Sequence, residues 1–106
     1  MRDEILAGIV SGLNLPPAIA RKLMNKYLET LPNDIEQLKE KIVQKDFPAA
    51  AKLAHSIKGA SGNLRVTQIF ELAGELEKIL KGGQEGAREK ADVLTAQLDD
   101  IMKKLA

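Results

Sequence analysis

The stretch KLAHSIKGASGNL, Lys52 to Leu64, holds the chain's single histidine. A free imidazole titrates near pH 6.5, at about 6.5 in model compounds, so its neutral form is a competent nucleophile or base near neutrality. Lys58 follows His55 by three residues, one helical turn, where an ammonium can neutralise an oxyanion formed at the ring. Gly59 follows by four, and Ala51, Ala54, Ala60 and Gly62 complete a surround of the smallest side chains. The pattern suits an imidazole that another molecule must reach.

A helix must carry this stretch. Asp46 is a plausible N-cap with Pro48 in the first turn, and the end should fall near Gly62 or Asn63. Ala50, Leu53, Ala54, Ile57, Ala60 and Leu64 form its apolar face. His55 lies two positions before Ile57, about 200° round the helix, so it points away from the core. Its own face holds Ala51, Lys52, Lys58, Gly59 and Gly62. A core histidine is excluded by that periodicity. An ordinary exposed histidine is the remaining bland alternative. Against it stands Gly59, because an exposed interior glycine costs a helix about 1 kcal/mol relative to alanine.

The rest of the chain reads as more helix, with few β-branched or aromatic residues and no sustained alternation. A short first helix spans about residues 2–12. NLPP ends it and starts a long helix, about Pro17 to Gln44, whose apolar stripe keeps its register through Pro32, so a kink is expected there rather than an end. Thr67 can cap a fourth helix with core stripe Ile69, Leu72, Ala73, Leu76 and Leu80. KGGQEG is the clearest loop. Ala87, Ala91, Leu94, Leu98, Ile101 and Leu105 mark the last helix. Such stripes bury one another in an all-α, antiparallel up-down four-helix bundle with a short additional N-terminal helix.

Composition narrows the function. The 106 residues suit one domain, residues 1–106, and 44% of them are hydrophobic, enough for one core. A formal charge of +1 gives no bulk attraction to nucleic acid or to an anionic membrane. The absence of cysteine excludes disulfides and thiolate chemistry, and with one histidine it leaves no ordinary structural zinc site. MRDEILAGIV lacks the pattern of a secretory leader, and no apolar run reaches membrane-spanning length, so a cytoplasmic location is expected.

AHSIKGASGNL resembles the signature of histidine-containing phosphotransfer domains of two-component phosphorelays. That signature is an Ala-His pair, a variable residue, an apolar residue, Lys-Gly and a small-residue run ending near Leu. QKDFPAAAKLAHS before it and IFELAGELEKILKGG after it fit the same pattern, and the likeness extends from about Leu15 to Gly83. It implies that His55 accepts a phosphoryl group on its outer ring nitrogen and exchanges it with an aspartate of a receiver domain. Lys58 would neutralise the phosphoryl oxygens and Gly59 would admit the partner. Glu77, twenty-two positions after His55, would hydrogen-bond the inner ring nitrogen and fix the tautomer; a solvated surface acid is the other reading of that residue. Lys52, Ala51, Gly62 and Arg65 would face the partner, with Arg65 joining Lys52 and Lys58 in a basic rim.

One departure concerns Arg65, which stands where the family often has glycine. The turn is expected at Gly62 or Asn63 instead, both of which tolerate a left-handed backbone. No nucleotide-binding glycine loop is present, so the chain is expected to be a phosphocarrier and not an enzyme, with no cofactor of its own; the Mg²⁺ of the reaction would belong to the receiver. A monomer is expected, with a receiver domain of a response regulator or hybrid kinase as partner. Two other readings fit the same residues: a helical interaction module that binds a receiver or kinase without transfer, and the phosphotransfer domain of a chemotaxis-type kinase.

Overall fold

A computed structural model describes residues 2–83 and 86–105 and places five helices among them. α1 spans Arg2–Leu13, with Asp3 and Glu4 favourably placed in its first turn. α2 spans Pro17–Val43 and begins with a proline pre-set for helical φ. It runs through Pro32 without ending. Its buried residues, Ala20, Met24, Tyr27, Leu31, Ile35, Leu38 and Ile42, recur at spacings of three and four on both sides of the proline. Pro32 itself is exposed, where the carbonyl four residues back can find water.

α3 spans Phe47–Asn63, and the Asp46 side chain accepts the Ala49 N–H at 3.3 Å, the expected N-cap. α4 spans Thr67–Gly82 and stops at Gly83, which is left-handed with φ 59°. α5 spans Ala87–Leu105; its first turn hangs on the Gly86 carbonyl, which accepts from Lys90. Gln84 and Glu85 of the expected loop lie outside the described residues.

Two turns share one design. After α2, the Asp46 N–H bonds the Lys41 carbonyl and the Lys45 N–H bonds that of Ile42. After α3, the Val66 N–H bonds the Ser61 carbonyl and the Arg65 N–H bonds that of Gly62. Each is a Schellman motif, and the residue at its left-handed position is not glycine: Lys45 has φ 61° and Arg65 has φ 63°. The expected turn at Gly62 or Asn63 is therefore wrong. Ser61 and Leu64 are both buried, so the helix must run on through Asn63, and the left-handed residue falls at Arg65. The cap of α4 is corrected for the same reason. Val66 is already fixed by the motif, and its carbonyl accepts the Phe70 N–H, which makes Thr67 the first helical residue and not the cap.

α2, α3, α4 and α5 form a four-helix bundle, each packing on the next and α5 returning to α2. The α3–α4 interface is the most extensive, and α1 packs on α2. The short turns make successive helices antiparallel, in a body of 46 × 20 × 18 Å. Ile35, Leu38, Ile57, Ile69, Leu76 and Leu98 lie at its centre with almost no exposure. α3 is covered on two sides, so its buried arc is turned from the expected stripe: Ala51 and Ser61 are buried, while Leu53 is half-buried and Ala60 is exposed. A long-range polar link joins α2 to α3 in the core, Tyr27 Oη to Ser61 Oγ at 2.6 Å. Burial pushes the Tyr27 phenol up to about 12, against a smaller opposing effect of the Ser61 hydrogen bond. Thr95, also buried, returns its hydroxyl to the Ala91 carbonyl of its own helix.

Candidate functional site

His55 stands at mid-length of α3 with its side chain 69% exposed. The ring is not free on both sides. Nδ1 lies 2.9 Å from Oε2 of Glu77, which reaches across from α4. With the proton on Nδ1, that N–H donates to the carboxylate, and the lone pair of Nε2 is left available on the exposed ring.

Glu77 is the buried member of the group, at 7% exposure. It belongs to the buried face of α4 with Ala73, Leu76 and Leu80, and it is not a solvated surface acid. Burying a carboxylate is costly unless it is paired. Here Oε2 is shared by His55 Nδ1 and by Lys81 Nζ, each at 2.9 Å, while Lys58 Nζ lies 3.7 Å from Oε1. The hydrogen bond from Lys81, assisted by the charges of His55 and Lys81, holds the Glu77 carboxyl below the usual carboxylate range, although burial pushes the other way.

Lys58 lies back against α4. Its stem crosses Gly74, where a Cβ would meet the lysine Cδ at 3.7 Å, and its ammonium sits 5.7 Å from the centre of the Phe70 ring. Gly59, beside His55 on α3, is open: a Cβ built there meets nothing within 4 Å. The small-residue surround therefore splits into two kinds of position. Gly62 is not open, since a Cβ there would come 2.9 Å from the Phe70 ring. Its small size admits that ring.

A cleft of about 690 Å³ runs along the α3–α4 seam beside His55, lined by Ala51, Lys52, Ser56, Glu77, Leu80 and Lys81 among others. Lys52 is exposed on its wall, and Ala51 is buried on its floor, not on the open face expected. Arg65 is not brought to this place. It lies ten residues after His55, in the turn that follows α3, about 15 Å away at the helical rise. Its side chain runs over Gly12 of α1, where a Cβ would meet Arg65 Nε at 3.2 Å. A basic rim of Lys52, Lys58 and Arg65 is therefore not formed; the cations near the ring are Lys52, Lys58 and Lys81.

Lys81 is the participant that reading by motif passed over. Its signal was present as the Glu-x-x-x-Lys spacing of Glu77 and Lys81, a favourable helical pair. Phe70 and Gly74 had no such signal, because their part depends on how α4 faces α3. Among the described residues no three His, Cys, Asp or Glu side chains converge as metal ligands would, and no helix is long and apolar enough to cross a membrane.

The family model described as Hpt domain matches residues 22–106 of the chain. No curated protein and no solved structure gives a significant match.

Proposed function

The chain belongs to the Hpt-domain family, the phosphotransfer modules of two-component signalling, and from that premise we propose that it is a phosphorelay carrier whose phosphorylated residue is His55. The observation that carries the proposal is the ring's arrangement: exposed, held through Nδ1 by a buried carboxylate, and flanked by an open glycine.

The chemistry follows from that arrangement. The Nε2 lone pair attacks the phosphorus of a receiver's aspartyl phosphate. An N–P bond forms, the P–O bond breaks, and the aspartate leaves as a carboxylate with the bonding pair. Nε2 carries no proton to lose, so the ring becomes cationic with Nδ1–H still on Glu77. The carboxylate stabilises that developing charge without moving. Lys58 exchanges its 3.7 Å pairing with Glu77 for the phosphoryl oxygens. Phosphoryl transfer needs positioning and charge stabilisation more than covalent assistance. The return step to a second aspartate is the reverse. In this proposal the Mg²⁺ is the receiver's, the chain supplies no cofactor, and it acts as a carrier rather than an enzyme. Lys52 and the open Gly59 face the receiver.

Incubation with a phosphorylated receiver tests it. The label is expected on His55 alone, lost in acid and stable in base, and absent from a folded His55→Gln protein. A label that persists in His55→Gln refutes the site. Tight receiver binding with no label would show an interaction module without transfer.

A further inference from the structure

The pairing of Lys81 with Glu77 has a geometry that a plain surface ion pair does not need. Lys81 Nζ and His55 Nδ1 are both 2.9 Å from one oxygen, Oε2, although Oε1 has only the longer approach of Lys58 at 3.7 Å. The two nitrogens thus compete for the electron density of a single atom. We propose that Lys81 is a positioning residue for His55: by sharing Oε2 it fixes the carboxylate under the ring and sets how strongly that carboxylate draws on Nδ1–H.

Three observations support it. Glu77 is buried, so its carboxylate cannot reorient toward water without losing its partners. Lys81 is 66% exposed at the lip of the cleft beside His55, so its charge can be varied without disturbing the core. The charged groups beside the ring are Lys52 and Lys58 of α3 and Glu77 and Lys81 of α4, and Lys81 Nζ meets Oε2 at 2.9 Å, as closely as the ring does. The shift at Glu77 agrees, since Lys81 is the leading influence on it.

The sign is determined by charge. Without the Lys81 ammonium, more of the carboxylate's negative field reaches the ring, and the protonated imidazole is favoured. Nitrogens that share an oxygen at 2.9 Å are at most about 6 Å apart, and removing a unit charge at that range in a largely aqueous setting moves a titration by about half a pH unit. A higher midpoint leaves less neutral imidazole on the acid side. The acid side of any reaction at Nε2 therefore shifts to higher pH, while the alkaline plateau persists. The inference rests on the carrier reading only for that last consequence.

The test is a charge series, Lys81→Arg, Lys81→Met and Lys81→Glu, with melting curves to confirm folding. The first readout is the pH midpoint of the His55 ring signals by NMR, compared with the wild type. The second is phosphoryl uptake from phosphoramidate against pH, in which the Nε2–P bond forms, the P–N bond of the donor breaks and ammonia leaves. Arginine should reproduce the wild type, methionine should raise the midpoint by about half a pH unit and glutamate by about one, with the acid limb of uptake following. A role in packing alone would not order the variants by charge. Midpoints that stay together across the series, or an arginine variant displaced as far as methionine, overturn the inference. Midpoints that follow the series in a protein that takes no phosphoryl group support it and overturn the carrier reading.

Discussion

Gly59 allows fold and function to be separated at one position. It lies inside α3, one turn from His55, and a Cβ there has nothing within 4 Å. Alanine therefore brings no clash within the chain, and the helix gains its intrinsic preference, up to about 1 kcal/mol, together with a less costly unfolded state. For a chain of this size that raises the melting temperature by about 4–8 °C. Transfer should move the other way. A reacting pair must approach to about 3–3.5 Å, and a displacement near 1 Å can cost about a hundredfold. Alanine adds one methyl group to the face that receives the partner and should slow transfer measurably. Glutamine adds a side chain several times longer and should nearly stop it while the protein stays folded. The assay measures melting and the rate of phosphoryl exchange with one receiver for all three proteins. A folded Gly59→Gln protein that transfers at the wild-type rate would show that the open glycine does not admit a partner.

Tyr27, the chain's one tyrosine, should govern its alkaline stability. The phenol ionises near 10 when unfolded and at about 12 when folded, so stability is intact below pH 10 and falls between pH 10 and 12; denaturant titrations should show that slope, and Tyr27→Phe should abolish it while losing the Ser61 partner, at about 1 kcal/mol near neutrality. Lys45→Gly should stabilise the bundle by about 0.5–1 kcal/mol, because glycine relieves the left-handed strain at no contact's expense. Arg65→Gly should gain less, since it also removes the side chain lying over Gly12; equal gains from Lys45→Ala in thermal melts would refute the strain argument.

Much of the site was legible in the sequence because its key spacings are local. His55, Lys58 and Gly59 lie within two turns of one helix, and the side of α3 on which the ring stands followed from Ile57 alone. The long helix through Pro32 was legible because its apolar stripe does not change phase at the proline. What escaped depends on neighbours in space. Ala51 and Ala60 were misplaced because α3 is covered by two helices rather than one, which turns its buried arc toward Ala51 and away from Ala60. The turn at Arg65 escaped because side-chain preference favoured Gly62 or Asn63, while burial of Ser61 and Leu64 decided the outcome. Glu77 as a ligand of the ring needed the family resemblance, since twenty-two residues separate the pair.

The Schellman turn at Leu64–Val66 has a consequence for how the protein assembles. Every residue of the His55–Glu77–Lys58–Lys81 group lies between the first residue of α3 and the last of α4. The site is thus contained in one helical hairpin closed by a three-residue connection, and no distant strand or domain has to arrive to complete it. Most contacts of a helical bundle lie within its helices, which gives a low relative contact order, the regime in which such bundles fold in about microseconds to milliseconds. Among the described residues, the packing of α5 on α2 closes the longest loop of the bundle. The register of that single turn also sets the phase of α4, since each residue of helix turns the face by about 100°. One residue added between Asn63 and Thr67 would carry Glu77 out from under the imidazole while leaving both helices able to form.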